Sequence, residues 1–152
     1  MSTTDVLIII PTYNECDNLA PLVETLLETA GQRVVIVDDA SPDGTGIVAD
    51  ELASRFPDRV NVLHRTGPRG LGLSYIDGFR YALDDGAPLV CQMDADMSHD
   101  PKYLPSLICA AADVDLVIGS RYIHGVSVVH WPLRRLVLSV VANAYVRRIT
   151  RT

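Results

Sequence analysis

Two short apolar runs dominate the first forty residues. Val6-Leu7-Ile8-Ile9-Ile10 stops at Pro11, and Val34-Val35-Ile36-Val37 stops at Asp38-Asp39. Both are continuously apolar rather than alternating, which predicts strands buried on two faces. Val60 to Leu63, Leu89 to Met93 and Leu116 to Ile118 read as three further strands. Helical periodicity fills the intervals. Asn18 to Thr29 has apolar residues at 19, 22, 23, 26 and 27, a 3.6-residue period. Thr45 to Arg55, Gly72 to Leu83 and Pro101 to Ala112 are the next helices, with Pro101 suited to a first turn, where a missing N–H costs nothing. Strands alternating with helices predict an α/β fold: a mostly parallel sheet with right-handed crossovers and helices on both faces. Ligands of such sheets sit beyond the carboxyl ends of the strands.

The strand ends are where the polar residues gather. Pro11-Thr12-Tyr13-Asn14-Glu15 follows the first strand, and Asp38-Asp39-Ala40-Ser41-Pro42-Asp43-Gly44-Thr45 follows the second. Asp94-Ala95-Asp96 follows the fourth, and Gly119-Ser120-Arg121-Tyr122 the fifth. Helix capping accounts for Asp43 and Asn18. It does not account for Asp94 and Asp96. Two carboxylates two residues apart at a buried strand end repel and call for a cation, and hard oxygen donors suit Mg²⁺ or Mn²⁺. Gly67-Pro68-Arg69-Gly70-Leu71-Gly72 opens a helix, where glycines admit a ligand to the backbone and the helix start favours anions. The spacing is neither a Walker loop nor a dinucleotide fingerprint. His99 reads as helix-start packing, and Cys91 as an inert core thiol.

Composition narrows the class. The 152 residues are 48% hydrophobic and 21% charged, which suits one globular domain. Net charge is −6, unevenly placed: six arginines and no acid lie from Arg121 to Thr152, leaving all 19 acids in residues 1–120. An acidic body excludes a general nucleic-acid binder, while the basic end calls for an anionic partner. Three cysteines without CxxC spacing exclude a disulfide framework and a zinc knuckle and point to a reducing compartment. No signal peptide is visible, and no segment reaches about 18 apolar residues.

PTYNE (11–15), VDDASPDGT (37–45), RGLG (69–72), MDADMSHDP (93–101), GSRY (119–122) and WPLRR (131–135) occur in that order. The chain thereby resembles glycosyltransferase family 2, and within it the dolichol-phosphate or polyprenol-phosphate mannosyltransferases. The resemblance implies a GT-A, Rossmann-like nucleotide-sugar-binding fold and inverting, metal-dependent transfer of mannose from GDP-mannose to a polyprenyl (dolichyl) monophosphate. It implies that Pro11, Tyr13, Glu15, Val37, Asp39, Asp94, Ala95 and Asp96 hold the nucleotide sugar, with Asp94 and Asp96 on Mg²⁺ or Mn²⁺. Asp96, Arg121 and Arg135 take the catalytic positions, and Arg121, Arg135 and Ser139 the acceptor phosphate. Glucose or N-acetylglucosamine transfer to the same lipid, and a nonenzymatic nucleotide-sugar-binding fragment, are the alternatives. Family members continue past this point, so the chain reads as an N-terminal piece with the C-terminal part missing. Residues 1–125 are the expected donor-binding core and 126–152 a basic amphipathic segment.

Within that segment, Leu133, Leu136, Val137, Val140, Val141, Ala144 and Tyr145 form one apolar stripe, with Arg134, Arg135, Arg147 and Arg148 outside it. Residues 132–149 are expected to form a helix lying in an anionic membrane interface. With no spanning segment, this implies a peripheral protein at the cytoplasmic face of a membrane.

Overall fold

The computed structural model describes residues 5–28, 32–119, 141–142 and 144–149. The chain divides into two compact units, Met1–Pro105 and Ser106–Thr152. The first unit holds four strands: β1 (Val6–Thr12), β2 (Gln32–Asp38), β3 (Val60–His64) and β4 (Leu89–Gln92). Every pairing is parallel, and the spatial order is β3-β2-β1-β4. α1 (Cys16–Leu27) joins β1 to β2, α2 (Thr45–Arg55) joins β2 to β3, and α3 (Leu71–Asp85) joins β3 to β4.

This order decides where the helices go. The chain steps outward from β1 through β2 to β3, then returns past both to place β4 on the far side of β1. Right-handed crossovers put the outward helices on one face and the returning helix on the other. α1 packs on α2, whereas α3 packs on β1 and β2. The two central strands are therefore covered twice. All seven residues of β1 and six of seven in β2 are buried, which is why both read as unbroken apolar runs. Leu7, Ile9, Val35 and Val37 cluster with Ala82 of α3, with Tyr75 and Tyr81 packed against them. The alternate residues, Ile8, Ile10, Val34 and Ile36, turn to the opposite face and are equally buried. Arg33, the one half-buried residue of β2, forks to Asp5 at 2.9 Å and Asp85 at 2.8 Å.

The strand and helix positions follow the periodicity closely, with three differences. No strand forms at Leu116 to Ile118 among the described residues; Leu116 and Ile118 are 74% and 75% exposed. Three apolar residues supply no ladder of their own, and a strand exists only with its neighbour. The helix expected from Pro101 begins as a 3-10 turn, Pro101–Tyr103, before α4 (Leu104–Ala110). Asp100 caps that turn by accepting the Lys102 N–H at 3.0 Å. Cys91, expected in the core, is half-buried on β4, and burial pushes its thiol pKa up. Of the basic segment, residues 132–140 lie outside the described residues. Residues 141–142 and 144–149 are helical, and Val141 and Tyr145 are exposed. No helix among the described residues is long and apolar enough to cross a membrane.

Gly78 is where α3 comes closest to the sheet. A Cβ there would collide with Cγ2 of Ile9 and lie 3.3 Å from Cγ2 of Val37. Gly78→Ala is expected to destabilise the fold by about 2 kcal/mol through overpacking. Equilibrium urea unfolding measures this; an unchanged midpoint would show that α3 slides freely on β1.

Candidate functional site

The reversal of strand order between β1 and β4 leaves a crevice at their carboxyl ends, the topological switch point of an open parallel sheet. A cavity of about 270 Å³ opens there, just under the usual range of about 300–1,000 Å³ for small-molecule sites. Pro11, Thr12, Tyr13 and Glu15 line it from the end of β1, Asp39 from the end of β2, and Asp94, Ala95 and Asp96 from the end of β4. Leu71 and Ser74 line it from the first turn of α3.

Two of these loops are sewn together by their own chemistry. Three successive N–H groups after β1 donate to side chains after β2: Asn14 to Ser41 Oγ (3.1 Å), Glu15 to Thr45 Oγ1 (2.9 Å) and Cys16 to Asp43 Oδ2 (3.2 Å). Asp43 also accepts the Thr45 N–H at 3.0 Å and its hydroxyl at 2.6 Å. These bonds, the Thr45 hydroxyl first, hold the Asp43 carboxyl below the ordinary carboxylate range. Thus SPDGT does cap α2, and it also ties down the Tyr13–Glu15 turn. Asp38 is buried and accepts from the Thr12 hydroxyl (3.2 Å) and the Ser41 hydroxyl (2.6 Å). Asn18, expected as a cap, is the third residue of α1, within its first turn, and donates its amide to Glu15 Oε2 at 2.8 Å.

Asp39 is held differently. Its carboxylate is buried against the guanidinium of Arg65, and its second oxygen accepts the Gly70 N–H at 2.8 Å. Arg65 also binds Asp77 Oδ2 at 2.8 Å and the Pro68 carbonyl at 3.1 Å. Asp77 and then Asp39 raise the Arg65 pKa, and Arg65 in turn keeps the Asp77 carboxyl below its ordinary range. The Gly70 N–H at the start of α3 is thus spent on Asp39, so the glycine loop is fastened to β2 through it.

On the β4 side, Tyr75 of α3 donates its hydroxyl to Asp94 Oδ1 at 2.8 Å. Half-burial first, and this bond second, push the Tyr75 pKa well above the usual phenol value, so it stays a donor. His99 Nδ1 accepts the Asp94 N–H at 3.1 Å. His99, its ring 44% exposed, thus closes the acidic loop on itself through this bond, where helix-start packing was expected. Ser98 donates its N–H to Asp96 Oδ1 at 2.9 Å. Val37 is fully buried in the α3-facing core and is not among the cavity residues. Arg121, Arg135 and Ser139 lie outside the described residues.

Asp94 and Asp96 fit a hard divalent ion as a partial donor set. Among the described residues no group of three or more His, Cys, Asp or Glu side chains is placed to hold a metal. Two carboxylates beside an anion-sized cavity suit Mg²⁺ or Mn²⁺ completed by diphosphate oxygens and water. Arg65, Tyr75 and Ser74 carry no sequence motif. Their bonds to Asp39, to each other and to Asp94 join residues 9 to 26 apart, and only folding reveals them.

The sequence profile of glycosyl transferase family 2 matches residues 7–151. The chain is 51% identical over 147 residues to the polyprenol monophosphomannose synthase of Mycolicibacterium smegmatis, covering 95% of this chain and 56% of that protein. It is 48% identical over 143 residues to the undecaprenyl-phosphate mannosyltransferase of Micrococcus luteus, covering 93% and 58%. The chain thus spans somewhat over half the length of these relatives. A mannosyltransferase from Pyrobaculum calidifontis, solved with GDP-Man and Mn²⁺, superposes with a TM-score of 0.62 at 28% identity, over 72% of this chain and 32% of that one. The α/β arrangement is GT-A-like, as the motifs imply.

Removing Arg65 would strand the Asp39 carboxylate in a buried position. Arg65→Met is expected to cost about 3 kcal/mol, the low end for breaking a buried pair, since the cavity admits water to Asp39. The double variant Arg65→Met/Asp39→Asn should recover part of that loss. Thermal denaturation measures both; equal stability of all three chains would show that the pair does not hold the loop.

Proposed function

The chain belongs to glycosyl transferase family 2, and on that premise we propose that it supplies the donor side of an inverting transfer of mannose from GDP-mannose to a polyprenyl monophosphate. The observation that carries this reading is the cavity at the switch point, where the Tyr13–Glu15 turn and Asp39 face Asp94 and Asp96 across a single crevice. An aromatic and carboxylates on one side suit a nucleoside, and paired carboxylates on the other suit its diphosphate with a divalent ion. The names of the two bacterial relatives and the GDP-Man and Mn²⁺ of the solved neighbour support the same donor and acceptor classes.

The acceptor nucleophile is a phosphate oxygen. A monoester has its second pKa near about 6 and is largely dianionic at neutral pH, so no strong general base is needed. The difficulty is bringing two anions together and stabilising the departing diphosphate. A divalent ion on Asp94 and Asp96 would supply positive charge against the negative charge that builds on the departing diphosphate. Tyr75 and His99 orient Asp94 from either side, through its carboxylate and its backbone N–H. Arg121 and Arg135 bind phosphate by planar, multi-donor contacts that lysine does not reproduce, and Ser139 lies near the acceptor phosphate. The basic segment brings these groups to the lipid. Its arginines attract an anionic surface by roughly 1 kcal/mol each, and its apolar stripe, exposed at Val141 and Tyr145, enters the interface at the cytoplasmic face.

Transfer from radiolabelled GDP-mannose, UDP-glucose and UDP-N-acetylglucosamine to short polyprenyl phosphates tests the reaction. Mannose alone should be transferred, and only with Mn²⁺ or Mg²⁺ present. Asp96→Ala should lower transfer by at least about 10²–10³-fold without loss of folded structure by circular dichroism. Preferred use of either UDP-sugar, or full activity of the variant, would overturn the assignment.

Vesicle sedimentation tests the membrane reading separately. The chain should pellet with anionic vesicles more than with neutral ones, and Arg147→Glu/Arg148→Glu should abolish the difference. Equal binding to both vesicle types would remove the electrostatic component.

A further inference from the structure

Arg69 contacts three loops at once. Its Nη1 donates to the Tyr13 hydroxyl at 2.7 Å, and its guanidinium carbon stands 4.7 Å from the centre of the Tyr13 ring. Its Nη2 reaches the Ala40 carbonyl at 3.5 Å. Tyr13 belongs to the turn after β1, Ala40 to the turn after β2, and Arg69 to the glycine loop before α3.

The two turns that Arg69 grips are in unusual conformations. Asn14, next to Tyr13, has φ of 60°, and Ala40 has φ of 55°. Side-chain-bearing residues seldom adopt this left-handed region, and alanine has no polar group to compensate. Such turns persist where surrounding contacts hold them. Arg69 is itself held at its root, because the neighbouring Gly70 N–H is bonded to buried Asp39 and the Pro68 carbonyl to Arg65.

Arg69 is exposed, and among the described residues no carboxylate pairs with it. It contacts Tyr13, a cavity residue, but is not among the cavity residues itself. A phosphate ligand would be expected to face the cavity directly. A cation laid on a phenol ring and bonded to its hydroxyl instead fixes the plane of that ring. The plane of an aromatic ring decides whether a nucleoside base can stack on it.

We propose that Arg69 is a strap that sets the Tyr13 ring for the donor's base, making it a positioning residue for nucleoside binding rather than a phosphate ligand. This rests on the reading of the cavity as a nucleoside diphosphate site. Arg69 then acts entirely through Tyr13, and its loss matters only while the ring is present.

Calorimetric titration of the chain with GDP and MnCl₂ tests this, using Arg69→Ala, Arg69→Lys, Tyr13→Ala and the double variant Arg69→Ala/Tyr13→Ala. Arg69→Ala should weaken GDP binding about 10-fold, a fraction of the usual worth of a stacked base. Arg69→Lys should weaken it comparably, since lysine keeps the charge and loses the planar fork. In the Tyr13→Ala background, Arg69→Ala should change the affinity by less than about two-fold. Melting temperatures within a few degrees of the parent exclude a general loss of structure; should Arg69→Ala fail to fold, Arg69→Lys and its Tyr13→Ala combination carry the same comparison. Equal losses in the two backgrounds would overturn the proposal and make Arg69 a direct ligand. No loss in either would also overturn it. A parent chain that binds no GDP would instead overturn the nucleoside diphosphate reading itself, and the strap with it.

Discussion

β1 stands at the centre of a sheet that grows to one side through β2 and β3 and then resumes on the other with β4. Much of the site depends on that reversal. Because β2 and β4 both pair with β1 in parallel, the turn after β1 has one acidic loop on each side. The crossover that makes the reversal possible is α3, and it must lie against β1 and β2 to reach the far edge. Gly78 permits that close approach, and the same helix then presents Ser74 to the cavity and the Tyr75 hydroxyl to Asp94. Fold and site are consequences of one chain path.

Glu15, Asp39, Asp94 and Asp96 all line the cavity, and their partners keep these carboxylates apart in role. Of the lining acids, Asp39 is occupied by Arg65 and the Gly70 N–H and Glu15 accepts from the Asn18 amide, while Asp38 and Asp43, beside the cavity rather than in it, are occupied by hydroxyls and N–H groups and act as struts. Asp94 is engaged at one oxygen by Tyr75. A pocket whose other acids are already satisfied can concentrate its demand for a cation at the Asp94–Asp96 pair. The Asp39–Arg65 pair also keeps a neutral balance in a buried position where a lone carboxylate would be costly.

The sheet was legible because its central strands are buried on both faces and so carry no polar interruption from Val6 to Ile10. The helices were legible from their periodicity, to within two or three residues at most ends. Most of the cavity's residues were legible because they lie at or just after a strand end, where a parallel sheet places its ligands; Leu71 and Ser74, from the first turn of α3, were not. What the sequence concealed has a common character. Arg65, Tyr75 and His99 act through hydrogen bonds to partners in other elements or across a turn, and such bonds leave no period and no composition bias. Val37, assigned to the donor by the resemblance alone, carries its side chain in the α3-facing core, where the alternation along β2 turns it. Leu116 to Ile118 has the composition of a strand, but among the described residues no strand forms there.

The three consecutive N–H groups of Asn14, Glu15 and Cys16 are received by Ser41, Thr45 and Asp43, one side chain for each. The two loops are thus a lock and its keys rather than two independent surfaces. A graft that imports either segment from a relative with different donor preference inherits a backbone whose amides no longer find their acceptors. Exchanging either segment therefore requires exchanging both as one cassette, although the bonded partners lie 27 to 30 positions apart along the chain.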